Sequence, residues 1–271
     1  MNAPLKLDCS PLPYRGSVPT RYHRGGPQIV GFRQQAIVDR QQQVIGFETL
    51  AALSAQVSGD ASDELIAQLS MYDLERLTSD LLLRLRIRCL AEQNYEAQVR
   101  HEQTSRLPMQ YFVNVEKRSL TAPALVDELI EASADMDHAG CQLVVEVTER
   151  PLTSAGQLRA YIKGMMRLKQ EGVLIALDDY PLDCSVHWEL DLGLGDFVKL
   201  DIHSLGLVET VDAELLSARY PVLAAQLYEF VHRYRVALIA EKVETSWQHG
   251  IAKILPFSLF QGYLFGRPEL V

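Results

Sequence analysis

The chain has 271 residues, 48% hydrophobic and 23% charged, with 26 Lys and Arg against 35 Asp and Glu for a formal charge of −9. This balance provides a large apolar core and excludes wholesale disorder and collagen-like order. The negative total argues against general affinity for DNA, RNA or an anionic membrane, whose phosphates repel it, but leaves open a small anionic ligand accompanied by metal ions.

Residues 1–27 hold five of the twelve prolines and carry Lys6, Arg15, Arg21 and Arg24 against Asp8. They read as a Pro-rich, weakly basic tail ahead of a domain spanning 28–271. QIVGFRQQAIVD and QQVIGFETL predict two strands joined by a turn at Asp39 to Gln42, an antiparallel opening hairpin. A helical tract is expected from about Asp60 to Asn94, started by Ser and Asp caps. Its middle, LLLRLRIRCL, alternates like a strand, but the length and flanks favour a helix whose Arg84, Arg86 and Arg88 form a solvated face.

A rhythm follows. QYFVNVE, QLVVEVTE, VLIALDD, DFVKLD, VALIAEKVE and FSLFQGYLFG are short apolar runs ending in polar residues, with helical stretches at Ala122 to Met136, Ser154 to Gln170 and Asp212 to Tyr234. Runs apolar on both faces suit buried parallel strands, and their alternation with helices over this length predicts an α/β barrel of TIM type, with an open doubly wound sheet as the alternative. No GxGxxG or GxxxxGK[ST] follows a strand, which weakens the nucleotide-binding versions of that alternative. The longest apolar runs, Val173 to Leu177 and Val236 to Ala240, have five residues each, far short of the ~18 a membrane-spanning helix needs. No secretory signal is visible, and Cys9, Cys89, Cys141 and Cys184 form no CxxC pair, so the chain reads as cytoplasmic with free thiols.

The strand ends carry Glu48, Asn114, Glu146, Glu149, Asp178, Asp179, Lys199, Asp201, Glu241, Glu244 and Gln261. A barrel gathers such ends at one mouth. An isolated strand-end acid is usually a cap or a surface ion pair, but acid at nearly every strand end calls for a neutralising cation. The oxygen-only donor set suits Mg²⁺ or Mn²⁺ better than zinc. The consecutive Asp178 and Asp179 could each face a different ion, as in two-metal phosphoryl chemistry. Lys199, after two apolar residues, would be costly to bury unless carboxylates surround it.

These segments, GFETL, YFVNVE, VVEVTER, IALDDY, DFVKLD, IAEKVET and FQGYLFGRPEL in this order, resemble the EAL-domain phosphodiesterases of cyclic di-GMP across about nine-tenths of the chain. The resemblance implies a modified TIM (β/α)8 barrel with an antiparallel first strand. It also implies cleavage of one phosphodiester bond to give linear pGpG, with two Mg²⁺ or Mn²⁺ ions. It makes Glu48, Asn114, Glu146 and Asp178 metal ligands, with Asp179 bridging to the second ion. Lys199 would contact the attacking water and Glu241 would serve a metal or act as general base. Gln35, Leu50 and Gln261 would line the substrate pocket, and Glu149 and Glu244 would support the site and its loop.

There are departures from the family pattern. After Asp178-Asp179, where the family has Phe-Gly-x-Gly-Tyr-Ser-Ser, this chain has Tyr180-Pro181-Leu182-Asp183-Cys184-Ser185-Val186. Thr49 replaces the motif's Ala, Ala52 an Arg that holds a substrate phosphate, and Lys242 a Gly. The alternative expectation is therefore a catalytically degenerate module that binds cyclic di-GMP or a regulatory protein partner. Relatives often form homodimers around the altered loop, so a homodimer is also expected. With no adjoining sensor or cyclase domain in view, regulatory input is expected through the tail, an assembly or another polypeptide.

Overall fold

The structure, a computed structural model, describes residues 29–53, 69–99, 107–148, 150–183, 186–207 and 213–271. The tail, the expected helix start near Asp60, Glu149 and part of the altered loop lie outside these residues. The chain opens with the expected hairpin, β1 (Ile29–Asp39) and β2 (Val44–Leu53). Asp39 makes the turn: its Oδ1 accepts the backbone N–H groups of Gln41 and Gln43 at 2.8 Å each, while Gln42 takes a left-handed φ of 63°. The register sets Gln35 of β1 opposite Glu48 of β2.

Helix α1 (Met71–Val99) follows, with Ser70 as its cap: the Asp73 N–H donates to Ser70 Oγ at 3.1 Å. The ambiguous LLLRLRIRCL lies within it. Leu81, Leu85 and Cys89 are buried at a spacing of four, so the core sees a helical stripe and not an alternating strand. The arginines are tied to neighbours: Arg86 pairs with Asp135, Arg88 donates to Gln34 Oε1 at 2.7 Å, and Arg84 lies over the Phe32 ring at 5.3 Å.

Next come β3 (Met109–Val115), α2 (Pro123–His138), β4 (Cys141–Val147), α3 (Ala155–Gln170), β5 (Leu174–Leu177), the short α4 (Trp188–Asp191), β6 (Phe197–Asp201), α5 (Ala213–Tyr234), β7 (Ala237–Glu241), α6 (Ser246–Ala252), β8 (Phe257–Gln261) and β9 (Glu269–Leu270). Strands β2 to β8 run parallel in chain order. β1 closes the circle, antiparallel to both β2 and β8, and β9 pairs with β1 from outside the ring. This is a closed eight-stranded α/β barrel with an antiparallel first strand, as expected from the sequence.

Two apolar layers hold it together. The larger packs the helices on the outer face of the strands; the smaller fills the barrel with Ile37, Phe112, Val144, Ala176, Phe197 and Ile239. Phe112 and Phe197 meet edge to face, with ring centroids 5.5 Å apart. Because strand side chains alternate, the residue two positions further along each parallel strand also faces inward, one layer nearer the mouth. Those residues are Asn114, Glu146, Asp178, Lys199 and Glu241. The apolar plug is thus the floor of a polar chamber. Among the described residues, no helix is long and apolar enough to cross a membrane.

Candidate active site at the barrel mouth

At the centre of the chamber is Lys199, 1% exposed. Its Nζ lies 2.6 Å from Glu146 Oε1, 2.8 Å from Glu241 Oε1, 3.3 Å from Asp178 Oδ1 and 3.7 Å from Glu48 Oε2. Four carboxylates from β2, β4, β7 and the end of β5 therefore face one ammonium. Burial works against the Lys199 charge, but Asp178, Glu146, Glu241 and Glu48 reverse this and hold its pKa well above the ordinary lysine value.

The acids respond differently. Burial raises the pKa of Glu48, but Lys199 and the hydrogen bonds from Gln261 and Asn114 outweigh it and leave the carboxyl below its usual value. Asn114 Nδ2 donates to Glu48 Oε1 at 2.9 Å, and Gln261 Nε2 donates to Oε2. Glu146 lacks such donors and is wholly buried; burial and the negative charge of Glu48 push its pKa well up against the pull of Lys199. Glu241 is pushed up to about 8, by burial first, with Asp178 and Glu48 adding to it against Lys199. Asp178 is raised as well, by burial and then, against Lys199, by Glu48 and Asp179. One lysine does not suffice for three buried acids and a fourth, Asp178, that is partly exposed.

On the hairpin side, Gln261 Nε2 also donates to Gln35 Oε1 at 3.1 Å, and Gln35 Nε2 donates to the Gly266 carbonyl at 3.1 Å. Gln35 and Gln261 thus act together in orienting Glu48. Gly262 allows Gln261 its place: a Cβ there would stand 2.1 Å from the Val243 carbonyl oxygen, so only glycine permits this approach of the chain after β8 to the chain after β7. Leu50 lies two residues beyond Glu48 on the same face of β2 and is partly buried.

Other expected residues stand apart. Asp179 is exposed, and its carboxylate faces Lys242 Nζ at 3.6 Å. The Glu244 side chain is exposed, and its backbone N–H donates to Gln248 Oε1 at 2.8 Å, so the structure does not bring that carboxylate into the chamber. Ala52 is 1% exposed, so an arginine there would have to displace what covers it. The altered loop is anchored by rings: Tyr180 OH and His187 Nδ1 share a hydrogen bond at 3.1 Å, and His187 packs against Phe230 and Tyr234 of α5 at 5.3 and 5.7 Å.

Two ion pairs at the mouth lie outside the ligand and pocket set that the resemblance implies. Lys242 donates to Asp201 Oδ2 at 2.7 Å. Asp201 would be raised by burial, but Lys242 and the His203 N–H that bonds its Oδ1 at 2.7 Å keep it below the usual range. Glu116, buried after β3, pairs with Arg150 at 2.7 Å. Asp201 ends an apolar run and was visible as a strand-end acid; Arg150 carried no spacing signal.

The chain matches the EAL domain family over residues 29–268. It belongs to that family. Its EAL domain is 32% identical over 130 residues to the cyclic di-GMP phosphodiesterase CdgJ of Vibrio cholerae, a match covering 48% of this chain and 26% of that protein. It is 27% identical over 246 residues to the probable cyclic di-GMP phosphodiesterase PdeG of Escherichia coli, covering 89% and 45% respectively. The chain thus spans less than half the length of these relatives. In fold, the EAL domain is similar to BlrP1 of Klebsiella pneumoniae in its calcium and cy-diGMP complex, with 23% identity, a TM-score of 0.62, and coverage of 89% of this chain and 56% of that one.

Among the described residues, no three His, Cys, Asp or Glu side chains already surround a metal position; the acids converge on the Lys199 ammonium instead. The donor chemistry nevertheless fits a hard divalent cation. Asn114 Oδ1, Glu146 Oε2, Glu241 Oε2 and Gln261 Oε1 are buried oxygens without a hydrogen-bond partner, and Glu146, Asp178 and Glu241 are all held above their usual pKa by burial and by the charge of neighbouring acids, against the pull of Lys199.

Proposed function

We propose that this EAL domain is a metal-dependent phosphodiesterase that hydrolyses cyclic di-GMP to linear pGpG. The observation that carries the reading is the buried chamber of four carboxylates around Lys199, with orphaned oxygens on Asn114, Glu146 and Glu241. Glu48, Asn114, Glu146 and Asp178 would hold the ion, with Mg²⁺ or Mn²⁺ favoured by an all-oxygen set. Such an ion supplies Lewis-acid polarisation of a phosphoryl oxygen and a lowered pKa for bound water.

The chain's own residues supply the rest. Lys199 Nζ stands among the acids, so it can offset charge developing on phosphorus oxygens and, on exchanging its longer contact to Asp178 for a water, orient that water along the line of attack. Glu241, held 2.8 Å from Lys199, would accept that water's proton in its ionised form, which the charge of a bound cation would favour over the neutral form that burial favours in the metal-free chain. The water oxygen bonds to phosphorus, the bond from phosphorus to the ribose 3′ oxygen breaks, that oxygen takes up a proton from solvent to become the 3′ hydroxyl, and the product is the linear dinucleotide. Gln35 and Gln261 fix the rotamer of Glu48, and Leu50 offers an apolar edge toward the nucleotide.

A second reading has its own observation. The altered loop is pinned to α5 by Tyr180, His187, Phe230 and Tyr234, and Ala52 offers no phosphate contact. Ring contacts at Tyr180 and His187, the two ends of this segment, suit a receptor that binds cyclic di-GMP without cutting it. Hydrolysis of cyclic di-GMP with Mn²⁺ or Mg²⁺, beside a Glu48→Ala control, decides between them. Turnover in the wild type alone supports the enzyme; nucleotide binding with no turnover in either chain supports the receptor.

A further inference from the structure

Four non-glycine residues among those described have a left-handed φ: Gln42, Asp179, Arg235 and Lys242. Gln42 sits in the hairpin turn and Arg235 just past the end of α5, where such a conformation has a local cause. The other two are not so explained. Asp179, at 40°, and Lys242, at 57°, follow different strands, and their side chains meet across the mouth. Side chains other than glycine's hold this conformation against strain, and such residues concentrate where a site over-determines them.

Lys242 replaces the glycine of the family pattern, which would take the same φ freely. With the lysine comes an ammonium 2.7 Å from Asp201 Oδ2 and 3.6 Å from Asp179 Oδ1, one residue along from Glu241. Asp179 is the carboxylate that the family resemblance assigns to the second metal. A tethered ammonium competes for it at high effective concentration and repels an arriving divalent ion at short range.

We propose that the Lys242 ammonium takes the place of the outer of two cations, so that this chain binds one divalent ion in the Lys199 chamber and none on Asp179. The inference rests on the metal-site reading under Proposed function. A one-ion site retains the donors of the inner chamber, Glu48, Asn114, Glu146 and Asp178, while the outer charge is supplied by the chain.

Equilibrium dialysis against Mn²⁺ with metal analysis, together with the electron paramagnetic resonance spectrum of bound Mn²⁺, counts the ions without requiring turnover. The expected results are one ion in the wild type, two in Lys242→Gly and in Lys242→Met, and one again in Lys242→Gly combined with Asp179→Asn. Spin coupling between paired ions should appear only in the two single variants. Two ions in the wild type would overturn this inference and leave the inner site standing, whereas no ion in any chain would overturn both. One ion in the wild type and also in Lys242→Gly would show that Lys242 excludes nothing. A second ion in Lys242→Gly but not in Lys242→Met would assign the effect to backbone freedom and overturn the charge argument.

Discussion

Two lysines meet acids at the mouth of this barrel, and their surroundings set them apart. Lys199 is buried among four carboxylates on a floor of apolar side chains; Lys242 has a side chain 52% exposed and touches two. The same ion-pair chemistry has different consequences in the two places. Water screens the outer pair, and exposed ion pairs contribute little to stability. In the chamber water reaches the acids little, and Glu146 not at all, so removal of the cation leaves charge that the protein solvates poorly. The inner cluster is therefore the place where a second cation is most needed, and the outer one the place where a side chain can serve.

The largest expected effect tests whether the inner cluster carries the chemistry. Glu48 is the acid whose ionised form the site most favours, held by Asn114 and Gln261. Glu48→Ala should lower cyclic di-GMP hydrolysis on the order of 10³-fold, from loss of several kcal/mol of charge stabilisation. Steady-state kinetics at saturating Mn²⁺ measure it, and a loss below tenfold would place the chemistry elsewhere. Next is Lys199→Met. In metal-free protein the remaining acids lose their counter-charge, and urea unfolding should show a loss of about 3–5 kcal/mol. A loss under about 1 kcal/mol would mean that the chamber is wetter than its burial indicates.

Much of this chamber was legible because strand periodicity is simple. Phe112 and Asn114, Val144 and Glu146, Ala176 and Asp178, Phe197 and Lys199, Ile239 and Glu241 are each two apart, so an inward apolar residue predicts an inward polar one at the next layer. The burial cost of Lys199 also predicted its carboxylate neighbours. Other features depended on information that no spacing contains. The direction of Lys242 follows from a φ of 57°, not from alternation. The ring cluster on the altered loop joins Tyr180 to Phe230, fifty residues later. Helix α6 was too short for a periodicity argument, although its Thr245 and Gln248 form a capping box that the sequence does spell out.

Within the inner cluster a smaller effect separates acids that sit on the same ammonium. Glu241 resists ionisation in the metal-free chain, with its pKa pushed up to about 8, so Glu241→Gln resembles a state it already accepts. At pH 7 that variant should be as stable as the wild type or slightly more so. Glu48→Gln replaces a favoured charge and turns an amide N–H₂ toward the donors of Asn114 and Gln261, which should cost about 1–3 kcal/mol. Urea unfolding of both variants in the absence of metal is the measurement. Equal losses would mean that all four acids share the lysine evenly.

The smallest expected change lies at the outer lysine, where two effects oppose each other. Lys242→Gly removes ion pairs to Asp201 and Asp179, and half-exposed pairs of this kind are worth about 0–1 kcal/mol. The same substitution releases a left-handed backbone that disfavours a side chain by roughly 1–2 kcal/mol, while glycine's freedom in the unfolded chain returns part of that gain. The net change in metal-free stability should stay within about 1 kcal/mol of zero. Lys242→Met keeps the strained backbone and loses only the charge, so it should be the less stable of the two. If Lys242→Met instead fell as far as Lys199→Met, the outer pair would behave as a buried one, and the contrast between the two lysines would be one of position and not of solvent.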